Sequence, residues 1–446
     1  AGQDASRDGA SSGDAATLPA AANVHLAAGG AHTCAILTGG VLKCWGYNGY
    51  GQLGLGDTKT RGAVAGTMGA NLPAVSLGAG RSAVSVAVGD MFTCAILDNA
   101  QVKCWGYNFG QLGLGDTQNR GDAPGEMGDA LPAVDLGAGR TAKSITAGGT
   151  HACAVLDDGS LKCWGYNAFG QLGLGDSRTR GDGPGEMGNA LPVVDVGPGR
   201  RVLAVEAGWR RTCARLDDGT AKCWGANDGG TLGLGDSTSR GMFAGQMGAA
   251  LPTLDFGPGA RVVGLGVGHY TSTALIDFSH ACALLEGGAL KCWGGNYAGE
   301  LGIGDLERRG DAPGEMGSAL PPVGMGAGRT VLQISSGEAF NCARLDNGQV
   351  KCWGANASGQ LGLGDTTNRG GSAATAVATL PPVDLGTGRT VTDLAVGGRH
   401  ACARLDNDAI RCWGENGDGE LGLGNTTNRG DAAGQLGDAL PVVSLQ

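Results

Sequence analysis

The stretch HACAVLDDGSLKCWGYNAFGQLGLGD, residues 151–176, recurs six more times in near-copy, and the register of its two cysteines decides how the chain folds. Asp157-Asp158-Gly159 reads as a type I turn closed by a left-handed glycine, which makes a three-residue hairpin loop. Counting outward, Leu156 faces Ser160, Val155 faces Leu161, Ala154 faces Lys162 and Cys153 faces Cys163. If the first pair is hydrogen-bonded, alternation makes the cysteines a non-hydrogen-bonded pair with closely spaced Cα atoms. A disulfide closes there with little backbone movement.

All 14 cysteines obey this C-x9-C spacing: Cys34 with Cys44, Cys94 with Cys104, Cys153 with Cys163, Cys213 with Cys223, Cys282 with Cys292, Cys342 with Cys352, and Cys402 with Cys412. Metal is the competing reading of paired thiols. A structural zinc takes four ligands, usually from short C-x2–4-C knuckles, whereas each hairpin offers two thiols held strand to strand. Seven disulfides are therefore expected, each closing a loop of roughly ten residues for about 2–3 kcal/mol in the chain-entropy model. Such pairing implies an oxidising compartment. The chain starts at Ala1 with a polar lead-in, AGQDASRDGASSGDAATLPAAA, that reads as flexible over residues 1–23 and as the processed start of an exported protein.

The first cysteines of successive copies step by 60, 59, 60, 69, 60 and 60 residues, so repetition overrides the domain count that 446 residues would suggest. Each copy offers four short strand candidates, shown in the third by LPAVDLG (131–137), AKSITAGG (142–149), HACAVLD (151–157) and SLKCWG (160–165). Four strands repeated seven times is the signature of an all-β, seven-bladed propeller of four-stranded antiparallel blades. One such domain is expected over residues 24–446. Its closing blade would join the last segment, LPVVSLQ (440–446), to the shortened opening segment, NVHLAAGG (23–30), hiding the open edges. Trp follows the second cysteine in every copy, with Lys or Arg two positions before it, and the Lys162 stem is expected to lie along the Trp164 ring.

Seven copies of CxxLxxGxxKCWGxNxxGQLGLGD resemble the regulator of chromosome condensation repeat family, over residues 24–446. The resemblance implies the seven-bladed propeller. The family's eukaryotic founder acts in the nucleus on a small GTPase and on chromatin. This acidic, cysteine-paired chain is more similar to the exported bacterial branch, whose members with known activity bind other proteins.

Net charge is -10 and no basic cluster stands out, which argues against nucleic acid as a partner. No apolar run reaches the length of a membrane span. There is no HExxH and no G-x-S-x-G, so an enzyme is not expected. His32, His151, His280 and His400 stand where Phe92, Arg211 and Phe340 stand in other copies, which argues for packing. Asp and Arg recur four residues apart from Asp57 and Arg61 to Asp365 and Arg369, with Asn425 before Arg429, as a loop clamp. Four copies continue as R-G-D (120–122, 180–182, 309–311, 429–431), a tripeptide that resembles an integrin-binding motif but lies where the repeat already demands Arg and Gly. Asp116, Asp122, Glu126 and Asp129 offer oxygens to calcium in a spacing that matches no known calcium loop, so a solvated loop is expected and no cofactor is assigned.

Departures from the repeat point to recognition. Of the 6 tyrosines and 7 phenylalanines, Tyr47, Tyr50, Tyr107, Phe109, Tyr166 and Phe169 gather in one loop of repeats one to three. Exposed aromatic clusters mark binding surfaces, and the alternative is that these rings fill gaps between blades. Trp209 and Arg210 in repeat four, and His269 and Tyr270 beside the nine-residue insertion of repeat five, are further candidates on variable loops. The function expected is a non-enzymatic, exported or cell-surface scaffold that recognises a protein or glycan. Self-assembly into an extracellular fibre or coat is the alternative. Unreduced intact mass is expected to lie 14 hydrogens below the fully reduced mass by electrospray spectrometry; a free-thiol count near 14 would remove both the disulfides and the argument for export.

Overall fold

The computed structural model describes residues 26–268 and 279–446; the lead-in, His269 and Tyr270 lie outside these described residues. The described chain forms seven antiparallel sheets, the blades, each from consecutive strands. In blade three the inner strand is Ala142–Ala147, the middle strand His151–Leu156 and the outer strand Leu161–Gly165. The hairpin forms in the expected register: Leu156 N–H donates to Ser160 O at 2.8 Å, Gly159 has φ +81°, and Cys153 faces Cys163 with Cα atoms 4.1 Å apart. All seven cysteine pairs are bonded in this way.

Two expectations need correction. The blades have three strands, not four. LPAVDLG (131–137) hangs on the preceding blade through a bond from Val134 N–H to Val102 O (2.8 Å), and Pro132, which lacks an N–H, cannot extend it into a ladder. Nor do the described ends of the chain, Leu26–Ala28 and the last segment, share a blade. Val443 N–H donates to Ile410 O (2.8 Å), so the last segment belongs to blade seven. Blades seven and one instead meet through contacts of the kind found at the other interfaces, among them Gly424 N–H to Gly62 O (2.7 Å) and Gly398 N–H to Gly29 O (2.9 Å).

Three successive residues of the outer strand hold each blade to its surroundings. The cysteine staples the hairpin. The tryptophan, fully buried in every blade, donates its indole N–H to a backbone carbonyl of the preceding blade, as Trp105 does to Gln52 O (3.0 Å) and Trp164 to Gln111 O (2.9 Å). Trp45 closes the circle by donating to Glu420 O at 2.8 Å. Burying each ring contributes roughly 4–6 kcal/mol of transfer free energy as an upper figure. The lysine sends its ammonium head to backbone carbonyls. Lys103 Nζ donates to Leu77 O (3.0 Å) and Gly128 O (2.7 Å), and Lys43 Nζ reaches Leu445 O (2.7 Å), because those loop carbonyls lack strand partners.

The histidines are packed between blades. His32 Nε2 donates to Thr93 Oγ1 (2.9 Å), whose hydroxyl in turn donates to Gln52 O (2.9 Å). Burial holds His32 down at about 3 and His400 at about 4, so both stay neutral. The carbonyl that receives the indole belongs to glutamine in four blades, but to Glu300 and Glu420 at two interfaces. Burial pushes both carboxyls up to about 7, and Glu300 Oε1 has no hydrogen-bond partner among the described residues. Asp90 is pushed up to about 7 by burial and by Glu338, and Glu206 to about 7 by burial alone.

Two outcomes follow from these placements. Ala100 takes the left-handed turn position at φ +62° where Gly159 stands in blade three; Ala100→Gly should relieve that strain, net of glycine's entropy, by about 0.5–1 kcal/mol, read as a higher urea midpoint at unchanged slope. The raised carboxyls stabilise the fold fully below their ordinary value of 4.5, or 3.8 for aspartate, and that contribution is lost as pH rises through 7. His32 and His400 act oppositely: their contribution is present above 6.5 and is lost as pH falls toward 4 and 3. The melting temperature should therefore rise from pH 8.5 to about pH 5 and fall below it. Converting Glu300 and Glu420 to Gln should flatten the alkaline limb, each by up to about 3 kcal/mol; an unchanged limb would exclude these two carboxyls as its cause.

Candidate functional site

The turn between inner and middle strands and the loop leaving the outer strand lie at the same end of each blade. Tyr107 N–H donates to Met91 O and Tyr166 N–H to Thr150 O, both at 2.9 Å, which fastens one to the other. The loop is rigid for reasons written in W-G-x-N and G-D. Asn108 Nδ2 donates to Asp116 O (2.9 Å) and Gln118 O (3.0 Å), its Oδ1 accepts from Gly110 N–H (2.9 Å), and Asp116 pairs with Arg120 at 2.6 Å. The Asp–Arg clamp recurs in six blades.

On this scaffold the six loop aromatics come together in two runs. Tyr47, Tyr50 and Tyr107 form the first, with centroids 6.3 and 5.0 Å apart; Phe109, Tyr166 and Phe169 form the second, at 5.9 and 6.3 Å. Asn108, between Tyr107 and Phe109, joins the runs within one clamped loop. All four contacts are edge-to-face, which the aromatic quadrupole favours. Phe109 is 47% exposed and the other five rings are half-buried, so they keep contact with solvent as well as with one another. Arg210, from the turn of blade four, places its guanidinium carbon 4.4 Å from the Phe169 centroid and extends the arc to a fourth blade. Trp209 lies over Gly149, with an indole carbon 2.3 Å from where a Cβ there would stand, so only glycine admits the ring.

The other end of the arc is acidic. Glu415 replaces the tyrosine of W-G-x-N in blade seven, and burial raises its carboxyl and that of Asp418. Asp418 also acts on Tyr47, whose hydroxyl is raised by burial, then by Tyr50 and by that carboxylate. A band of rings thus runs from carboxyls in blade seven to a guanidinium in blade four.

Other sequence candidates are consumed by structure. The arginine of the first R-G-D is the clamp residue Arg120, and Gly121 packs against Gly51, so the tripeptide is not displayed as an adhesive loop. Glu126 accepts from Gly121 and Ala123 N–H (2.9 and 3.0 Å), and Asp129 from Ala79 N–H (3.0 Å), so the acids of the suggested calcium loop face separate backbone donors. Reasoning from sequence missed Glu206, Glu300 and Glu420; glutamate among Gln, Ala, Gly, Ser and Thr at fixed repeat positions was the available signal.

The family model for the regulator of chromosome condensation (RCC1) repeat matches seven segments, residues 24–52, 83–111, 142–171, 202–231, 278–300, 331–360 and 391–420. The ultraviolet-B receptor UVR8 of Arabidopsis thaliana is 30% identical over 420 residues, 93% of this chain and 82% of that one. The mitochondrial RCC1 domain-containing protein RUG3 of the same plant is 29% identical, but the match spans 62% of this chain and 55% of that protein. Among solved structures, yeast RCC1 (Prp20) bound to Kap60 superposes with a TM-score of 0.65 at 17% identity, covering 99% of this chain and 91% of that one, which speaks to the fold alone. With seven matched repeats and seven blades in one continuous chain, the protein belongs to the RCC1 repeat family.

Proposed function

We propose that this protein is a non-enzymatic, exported recognition scaffold that binds a protein partner through the aromatic arc of blades one to four. The observation that carries the reading is the arc itself: six rings and Arg210, projected from rigid clamped loops onto one end of the propeller. Tyrosine, phenylalanine and arginine supply the anchors of protein interfaces at low conformational cost. Interplanar angles of 63° to 72° give a corrugated surface, which suits inserted side chains better than the flat faces of a sugar chain. Solved relatives of this fold have been studied for binding Kap60, or Gsp1p and histones, which supports a protein partner by analogy of family. Seven disulfides support an oxidising, extracellular setting.

The test is capture on immobilised protein from the extracellular fraction of the source cells, followed by affinity measurement with variants. Tyr107→Ala combined with Tyr166→Ala should weaken the captured partner about 10-fold or more, as loss of two interface rings does. Val41→Ala, at the exposed hairpin end of blade one, should leave it unchanged. Affinity retained within about twofold by the tyrosine variant, with its melting temperature intact, would remove the arc as the docking surface. Concentration-dependent growth in light scattering would favour self-assembly instead.

A further inference from the structure

The propeller axis carries a second candidate site, independent of the aromatic arc. Each inner strand is hydrogen-bonded on one side only, to its middle strand, so its free edge turns backbone N–H and C=O groups toward the axis. These edges enclose a channel of about 230 Å³. One tier of the wall is fixed by register, since its members face the first cysteine of each blade. That tier is alanine in three blades and Thr146, Gly266 and Ser335 in three others; in blade four it is Glu206.

The neighbours show what this position does. Thr146 Oγ1 accepts the N–H of Ala207, and Ser335 Oγ that of Val396, both at 3.1 Å, so these hydroxyls capture backbone donors of the following blade. Glu206 has the same register and does not do this. It is half-buried, lines the lumen, and has no hydrogen-bond or ion-pair partner among the described residues. The small side chains around it leave its longer chain room to reach the axis. Asp393 lines the same lumen with Oδ1 accepting from Gln333 Nε2 (3.2 Å) and a buried Oδ2 that has no partner among the described residues. No lysine, arginine or histidine is among the described residues that line the channel.

A carboxylate confined to a narrow lumen without a counter-charge is costly, and free carbonyl edges are ready-made oxygen ligands. We propose that the axial channel binds a small monovalent cation, an alkali ion or an ammonium group, with Glu206 as its counter-charge and inward carbonyl oxygens around it. No group of three His, Cys, Asp or Glu side chains converges among the described residues, so the lumen lacks the dense carboxylate shell of the tighter calcium sites.

The test is thermal unfolding of the full chain at pH 8 in potassium, sodium, ammonium or methylammonium chloride, against tetramethylammonium chloride at equal ionic strength. At least one small cation should raise the melting temperature saturably, by about 2 °C or more, and the best one tells an alkali ion from an ammonium group. Glu206→Gln and Glu206→Ala should abolish the difference; alanine already stands at this position in three blades, so that variant keeps the fold. Equal shifts in wild type and Glu206→Ala, no shift with any small cation, or a larger shift with calcium at matched ionic strength would each overturn the assignment.

Discussion

Seven blades form one body because a single backbone carbonyl at each blade boundary collects donors from the blade that follows. Gln52 O accepts the indole of Trp105 and the hydroxyl of Thr93, Glu420 O accepts Trp45 and Thr33, and Glu300 O accepts Trp353 and the amide of Asn341. A buried carbonyl left unpaired costs more than the bond returns, so this geometry is demanded at each boundary where it occurs. Around it the outer strand assigns one task per residue: lysine to the loop carbonyls, cysteine to the hairpin, tryptophan to the neighbouring blade. The disulfides lie within blades and restrain hairpins. Cohesion between blades rests on the indoles, lysines and buried aliphatic side chains.

Because the indole bond and the disulfide recur in every repeat, variation is greatest at positions that they leave free. Three such positions carry the individuality of this protein. The loop residue after W-G is tyrosine in blades one to three and glutamate in blade seven, which gives the loop end an aromatic and an acidic side. The residue that supplies the boundary carbonyl is glutamine in four blades, threonine in one and glutamate in two, which sets how each interface responds to protons. The tier facing the axis is small in six blades and carboxylate in one. In each case a repeat position whose backbone role is fixed was free to change its side chain.

Family membership accounts for the scaffold and leaves the surface open. A relative 30% identical across most of both chains shares the repeats, and solved propellers of the same fold superpose at 17 to 18% identity, as expected when turns and blade contacts constrain the sequence and exposed loops do not. The arc of rings, the guanidinium on Phe169 and the carboxyls at blade seven belong to that unconstrained part, and the recognition surface proposed above is built from them.

The sequence by itself determined everything with short range. Repeat length, hairpin register, the pairing of Cys153 with Cys163 and the left-handed place of Gly159 all follow from alternation along a strand and the sterics of a tight turn. The circular array followed from repetition. The six aromatic residues were legible as a departure from the repeat, but two readings stood equal, because a ring that fills a gap and a ring that faces solvent have the same local sequence. The tertiary structure fixed what these rings touch, which is one another, Arg210 and solvent. It moved LPAVDLG to the preceding blade, since the donor of Val134 found Val102 rather than a strand of its own repeat. It brought Lys162 Nζ to the carbonyl of Gly188, and Arg210 onto Phe169 across 41 positions of the sequence. It also isolated Glu206 at the axis, where only closure of seven inner edges around one lumen makes an unremarkable glutamate a charge without a partner. Hydrogen bonds between blades depend on distance in space, and no periodicity along the chain encodes that distance.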